Sequence, residues 1–393
     1  MPRRIGKVLA GRDGILGVLS ENLIDTSYES AASIAALKNT PGGAFGSSRY
    51  MPGDFSADRR VYERLVEVFR AHNIRYFLYN GGNGSADTAW RIAHLEREFD
   101  YPIVSIAIPK TIDNDIVGTD CCPGYGSAAK YVATSIREAS LDLAAMATTD
   151  TIKSATRVFM LEVMGRNVGW LAAAAGLAAE RPGEAPHILL LPEVPFDQPR
   201  FLAHVAATVK RVGHCVIVVS EGIRDGTGRL LSPRLRADPS KFAPLGGIAP
   251  GLGKLIGENL GLKYQFAVAS YLQRSGRHLA SKTDLDQAYA VGAVGVKLAL
   301  EGRNSTMAVI QRTHERPYRW KVRAADLGPI ANVERKVPAD FISADGFHIT
   351  PACRRYLLPL IAGEAPVPFA GGLPATARLR LRQVRKRLQT FDL

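Results

Sequence analysis

The sequence has little of what marks a secreted, metal-stapled or membrane-spanning protein. Only four cysteines occur in 393 residues, two of them adjacent (Cys121 and Cys122), so there is no disulfide framework. No CxxC pair and no close-set histidines offer zinc its usual ligand spacing. No apolar run reaches the roughly 18 residues needed for a membrane-spanning helix. The opening "MPRRIGKVLAG" is basic but has no apolar core, so it is not a secretory leader. A reducing, cytoplasmic setting is the expectation.

Acidic residues are also short, with 37 Asp and Glu against 50 Lys and Arg, a net charge of +13. Such an excess suits either a nucleic acid or an anionic small molecule. No nucleic-acid-binding module with stacking aromatics or a groove-reading helix is recognisable, so no nucleic-acid partner is expected. The excess concentrates in the tail "ARLRLRQVRKRLQTFDL", which holds six Arg and Lys between Arg378 and Arg387. Leu379, Leu381, Val384 and Leu388 partly follow a helical period there, which predicts a solvated terminal helix over 376–393.

What is present is an alternation. The runs "IRYFLYN" (74–80), "YPIVSIAI" (101–108), "RVFMLEV" (157–163), "HILLLPE" (187–193) and "HCVIVVSEG" (214–222) read as short strands. Between them, "ADTAWRIAHLERE", "GSAAKYVATSIREASLDLAAMA", "VGWLAAAAGLAAE" and "PRFLAHVAATVKRV" read as helices. "FAVASYLQRSG" (266–276) predicts a later strand and "DLDQAYAVGAVGVKLALEG" a helix after it. This order predicts an α/β fold with mainly parallel sheets covered on both faces. The Gly- and Pro-rich stretch 222–251 predicts a long loop. At this length the chain has room for two or three domains.

In open α/β sheets ligands bind beyond the carboxyl ends of the strands, so the residues there carry the functional reading. After the first strand, "GGNGSADTA" supplies Gly81, Gly82 and Gly84 for close backbone approach, with Ser85 or Asp87 to cap the next helix. This is a phosphate cradle or simply a tight turn, and it matches neither the Walker nor the Rossmann glycine pattern. After the second strand, "PKTIDND" sets Lys110 beside Asp113 and Asp115. That suits a base, a support or metal group, and a cation for a moving phosphoryl group; a surface turn with a Lys110–Asp113 pair is the plainer alternative. "MGRNVGW" places Arg166 after the third strand, "SEG" places Glu221 after the fifth, and "YLQRSGR" adds Tyr271, Arg274 and Arg277. Glycines, acids and several cations at one sheet edge form the inventory of phosphoryl transfer between two anionic substrates.

These motifs, with "PE" (192–193), fall in the order found in the phosphofructokinases, which phosphorylate fructose 6-phosphate at its 1-hydroxyl, and the chain resembles that family from about residue 5 to about residue 310. The resemblance implies two Rossmann-like three-layer domains with the active site in the cleft between them. The donor domain would comprise 1–132 and about 272–325, and the fructose 6-phosphate domain 133–271 with the C-terminal segment. It implies Asp113 as general base, flanked by Thr111 and Asp115, and Arg166 as a stabiliser of the transferring charge. Arg157, Met164, Gly165, Arg166, Glu221, Tyr271 and Arg274 would contact fructose 6-phosphate, with Arg157 reaching across a subunit interface. A homodimer or homotetramer is therefore expected.

Gly81, Gly82, Gly84, Ser85 and Lys110 would bind the donor, and Mg²⁺ would be the cofactor, held by Asn83 and Asp115. Many members carry an acid where this chain has Asn83. Lysine at the position of Lys110 marks the pyrophosphate-using members, whereas ATP-using members carry glycine there. Pyrophosphate users also commonly have an acid at the position of Gly84, which this chain lacks, so the donor signature is mixed: Lys110 implies pyrophosphate as donor, and Gly84 keeps ATP as the alternative. The family's first strand, glycine-rich turn and helix have no counterpart in "RIGKVLAGRDG". This leads to the expectation of an upstream start, with a truncated product or a paralogue serving as a non-catalytic regulatory subunit as the alternatives.

Overall fold

The five apolar runs form strands, and the runs between them form helices, in a computed structural model that describes residues 5–146, 155–232 and 246–392. A short antiparallel pair, β1 (Leu9–Gly11) and β2 (Leu23–Asp25), brackets helix α1 (Ile15–Leu19). Helices α2 (Ala31–Ala36) and α3 (Arg59–Ala71) follow. Helix α3 buries Val61, Leu65, Val68 and Phe69, whose helical spacing makes one apolar stripe.

Strands β3 (Tyr76–Gly81) and β4 (Val104–Pro109) are joined through α4 (Asn83–Ile92) and α5 (Leu95–Phe99). The long α6 (Tyr125–Met146) leads to β5 (Val158–Val163), α7 (Trp170–Ala175), β6 (Ile188–Leu190), α8 (Gln198–Val212), β7 (Cys215–Ser220), α9 (Ile248–Leu260) and β8 (Tyr264–Val268). Helices α10 (Leu272–Ser275) and α11 (Lys282–Leu300), a hairpin of β9 (Thr306–Glu315) and β10 (Tyr318–Asp326), and helix α12 (Pro351–Leu357) complete the main elements.

Two sheets result. The first has the order β10-β9-β4-β3, parallel except for the β9–β10 hairpin, and the second has the order β6-β7-β5-β8, parallel throughout. One apolar core joins them: Ile106 and Ala308 of the first sheet and Leu161, Val163 and Val218 of the second share it with α6 and α7. Strands β6 and β7 of the second sheet are nearly all apolar, as burial on both faces requires, whereas β8 at its edge is mostly exposed. Among the described residues no helix is long and apolar enough to cross a membrane.

Four expectations are corrected. The tail is not a solvated helix but an extended strap. Val384 N–H donates to the Leu23 carbonyl at 2.8 Å, Asp25 N–H to the Arg382 carbonyl at 3.0 Å, and Val384, Leu388 and Phe391 pack against the core of α1 and α3. Its apolar residues face protein while its charges face water, so composition alone mistook a docked segment for a solvated one. The strand expected at 266–276 is β8, which ends at Val268; Tyr271 and Arg274 belong to the turn and short helix beyond it. Helix α4 starts at Asn83 with Gly82 as its N-cap, so neither Ser85 nor Asp87 caps it. Asp87 instead pairs with Arg91 one turn along. Of the loop expected at 222–251, residues 233–245 lie outside the described residues, and 248–251 already belong to α9.

Candidate active site

The register of β3 on β4 pairs Gly81 with Pro109, so the two chains leave the sheet side by side. Lys110 N–H donates to the Gly81 carbonyl at 2.9 Å, and a Cβ on Gly82 would sit 3.8 Å from the Thr111 side chain. The glycine turn and "PKTIDND" are therefore one surface. Gly81 is required there, since a Cβ would come within 2.1 Å of Ser85 Oγ. No side chain caps α4, which leaves the start of a ten-residue helix facing this surface. The space beside Gly84 is filled: a Cβ there would meet the Met51 sulfur at 2.1 Å.

Asp113 and Asp115 sit on the loop beyond β4. Asp113 N–H donates to Thr111 Oγ1 at 3.1 Å. Burial pushes the Asp113 pKa up to about 7, helped by the negative charges of Asp115, Glu221 and Glu334 and opposed by Lys110. Asp115 is also raised, chiefly by burial. Lys110 is exposed, yet desolvation by the surrounding protein and the Arg274 charge lower its pKa, with Asp113 pulling it back. Its interaction with Asp113 is through space, not the surface ion pair of the plainer alternative.

Asn83 Nδ2 donates to Asp115 Oδ2 at 2.9 Å, and this leaves Asn83 Oδ1 and Asp115 Oδ1 buried with no donor. Two uncommitted oxygens, one of them charged, suit a hard divalent cation that keeps water and substrate oxygens as its other ligands. Among the described residues no group of three or more His, Cys, Asp or Glu makes a metal centre from protein alone.

The second sheet supplies the opposite wall. Pairing of Val163 with Ser220, and of Glu162 with Val268, brings 164–166, Glu221 and the turn after β8 to one edge. Gly165 has φ 140° and its carbonyl accepts from Ser220 Oγ at 2.7 Å; a side chain there would collide with the Val168 carbonyl. Met164 N–H donates to Gln273 Oε1 at 3.3 Å, and Glu221 N–H to the Val163 carbonyl at 2.9 Å. The Arg274 guanidinium lies 4.1 Å from the Tyr271 ring centroid, a stack in which Tyr271 stays exposed.

Most of the expected residues thus gather in one cleft: Gly81, Gly82, Asn83, Gly84, Ser85, Lys110, Thr111, Asp113 and Asp115 on one wall, and Met164, Gly165, Arg166, Glu221, Tyr271 and Arg274 on the other. Arg157 does not join them. It precedes β5, at the far end of that strand from 164–166, and its guanidinium donates to the Gly213 carbonyl at 3.0 Å. Arg277 is committed elsewhere, to the Ala365 carbonyl and Asn39 Oδ1, both at 2.8 Å.

Sequence reasoning passed over the segment 334–337. Asn167 Nδ2 donates to Glu334 Oε1 at 2.8 Å, and the Arg335 guanidinium reaches the carbonyls of Asn114, Thr119 and Asp120 at 2.7–3.1 Å. Its only sequence signal is a cluster of charge, "ERK", after the β9–β10 hairpin.

The family model described as phosphofructokinase matches residues 3–298. A pyrophosphate–fructose 6-phosphate 1-phosphotransferase of Methylococcus capsulatus is 55% identical over 373 residues, covering 95% of this chain and 88% of the relative. The protein of the same name from Halomonas elongata is 53% identical, covering 99% of this chain and 92% of the relative. Among solved structures, the pyrophosphate-dependent phosphofructokinase of Marinobacter aquaeolei superposes with a TM-score of 0.89 at 50% identity, covering 100% of this chain and 92% of that one.

Proposed function

The chain belongs to the phosphofructokinase family, and on that premise we propose that it transfers a phosphoryl group from pyrophosphate to the 1-hydroxyl of fructose 6-phosphate. The products are fructose 1,6-bisphosphate and phosphate. The observation that carries this reading is the placement of Lys110 and Asp113 three residues apart on one loop, between the glycine turn and the anion-binding wall at 164–166. A kinase-type site needs a base, a cation near the moving phosphoryl group and a separate grip on the acceptor, and Asp113, Lys110 and the segment 164–166 are the residues that would supply them.

Each residue then has a task. The wall with Lys110 and the start of α4 takes the donor, and the wall with Met164, Gly165, Arg166, Glu221, Tyr271 and Arg274 takes the sugar phosphate. Asp113 accepts the 1-hydroxyl proton as that oxygen attacks the nearer phosphorus of pyrophosphate. Its raised pKa suits this, because a base poised near neutral pH accepts a proton readily and still starts ionised in part. The bond to the bridging oxygen breaks, and phosphate leaves. Lys110 and Arg166 neutralise the charge spread over the transferring oxygens. Asn83 Oδ1 and Asp115 Oδ1 would hold a Mg²⁺ ion, which when bound supplies further charge neutralisation to the donor oxygens. Self-association belongs to the same reading: Arg157, remote from its own chain's cleft, would serve the cleft of a neighbouring copy.

Purified protein assayed with pyrophosphate and, separately, with ATP tests the donor. Turnover with pyrophosphate is expected, and turnover with ATP alone overturns the reading. Asp113→Asn should lower kcat by about 10²–10⁴-fold with little change in the KM of either substrate, the usual contribution of a positioned general base.

A further inference from the structure

We propose that the segment 334–337 is the joint that sets the base-bearing loop against the sugar-phosphate loop, with Arg335 and Glu334 as its positioning residues. The proposal rests on the reading of the cleft given above. The two loops come from different sheets, so no strand register fixes the distance between Asp113 and Arg166. Something else has to, because a misplacement of about 1 Å at a reacting centre costs roughly 10²-fold in rate.

The segment touches both loops at several points. On the side of the base loop, Ile116 forms a bridge with Glu334, and Arg335 N–H donates to the Asp115 carbonyl at 2.7 Å. The Arg335 guanidinium then spans the loop. Its Nε and one terminal nitrogen reach the Asn114 carbonyl at 3.1 and 2.9 Å, and the other terminal nitrogen reaches the Thr119 and Asp120 carbonyls at 2.8 and 2.7 Å. One planar fork thus holds three carbonyls around Asp115, a geometry that an ammonium group does not reproduce.

On the side of the sugar-phosphate loop, Trp170 Nε1 donates to the Arg335 carbonyl at 3.0 Å, and the guanidinium lies 4.9 Å from the Trp170 ring centroid. Asn167, next to Arg166, donates to Glu334 Oε1 while its own oxygen accepts from Arg224 at 3.2 Å. Glu193 closes the far end. Its Oε1 accepts from Gly169 N–H and Val337 N–H, both at 3.0 Å, so one carboxylate oxygen ties the start of α7 to the segment. This gives the "PE" pair a physical role that sequence alone did not supply.

The test combines turnover with amide hydrogen exchange. Arg335→Lys keeps the charge and loses the fork; kcat should fall by about 30-fold or more, with the KM for pyrophosphate within about threefold. Because that variant could unfold, the surface link is tested in parallel. Glu334→Ala and Asn167→Ala should each lower kcat, and the double variant should be no worse than the poorer single, since both cut one bond. Glu334→Gln keeps the acceptor oxygen and, assayed at a pH well above 7 where losing the Glu334 charge no longer changes the ionisation of Asp113, should retain near-native turnover. Exchange should quicken at 113–120 and 164–170 in Arg335→Lys and Glu334→Ala, and not in β5 or β7. Additive losses, a Gln variant as poor as the Ala variant, or unchanged exchange in both loops would each overturn the proposal. The exchange result stands whichever donor is used, so its failure and a failure of wild-type turnover are separately visible.

Discussion

Asn83 Nδ2 donates to Asp115 Oδ2 at 2.9 Å, and the bond leaves each side chain with one buried oxygen that accepts nothing. A neutral amide thus orients a carboxylate at the mouth of the cleft, and both spare oxygens are ligands for a hard cation. Replacing Asn83 by Asp adds a second charge to this pair. In the absence of metal, Asn83→Asp should lower the melting temperature through like-charge repulsion, and added Mg²⁺ should restore it. The half-saturating Mg²⁺ for turnover should fall. For Asp115→Ala it should rise by about tenfold or more, because a charged ligand is lost. A magnesium titration of both variants, followed by turnover and by thermal melting, measures all three changes.

Burial and the charge of Arg274 lower the Lys110 pKa, and the charge of Asp113 raises it. A lysine held beside another cation is stabilised by a polyanion that both can reach. Lys110→Met keeps most of the side-chain volume and removes the charge. The kcat/KM for pyrophosphate should fall by about 10²-fold or more, as when one donor to a developing anion is removed. The KM for fructose 6-phosphate should stay within about threefold. Steady-state kinetics with each substrate varied in turn measures the split, and an unchanged rate would show Lys110 to be a bystander.

How much of this was legible in the sequence depended on where each residue stores its information. The apolar runs of β4, β5 and β7 are largely buried strands and β3 is a half-exposed aromatic edge strand, all four readable as strands, and the motifs at their ends follow from strand position. Gly165 and Gly81 could be flagged because turns and close approaches demand glycine. Arg335 could not, because its partners are backbone carbonyls, which have no residue identity to match. The tail failed for another reason. Val384, Leu388 and Phe391 are spaced like a helix face, but the backbone between them bonds to β2 and to Glu21, whose carboxylate accepts Arg387 N–H at 2.5 Å and Leu388 N–H at 3.0 Å. Tertiary partners outbid a weak local pattern.

His187 gives the fold a pH dependence independent of the cleft. Its Nδ1 accepts from Val216 N–H at 3.0 Å inside the second sheet, and the ring is 2% exposed. Burial and the neighbouring His214, with smaller pushes from Arg211 and His348, lower its pKa to about 4. In the unfolded chain histidine titrates near 6.5. Between those values the unfolded state binds more protons, so stability is lost as pH falls from about 6.5 towards 4. From about pH 7 to about pH 5 this group alone should cost on the order of 2 kcal/mol. Asparagine can present an oxygen where Nδ1 lies, so His187→Asn should flatten this part of the curve. Urea midpoints at the two pH values, for both proteins, measure the difference.

The strap formed by the tail predicts a contrast between two of its residues. Phe391 packs against the core of α1 and α3, with the guanidinium groups of Arg60 and Arg64 at 4.9 and 5.4 Å from its ring centroid. Arg385 is exposed, and among the described residues it makes no ion pair with an acid. If the tail were held by its charge, Arg385→Ala would matter and salt would loosen it. The packing says otherwise: Phe391→Ala should destabilise by about 2–4 kcal/mol, from lost burial and two cation–π contacts. Arg385→Ala should fall within about 0.5 kcal/mol of wild type, as surface substitutions do. Thermal melting at low and high salt separates the two, with the Phe391 effect expected to persist at high salt. Equal losses for both variants would mean that the basic run, and not its apolar residues, anchors the strap.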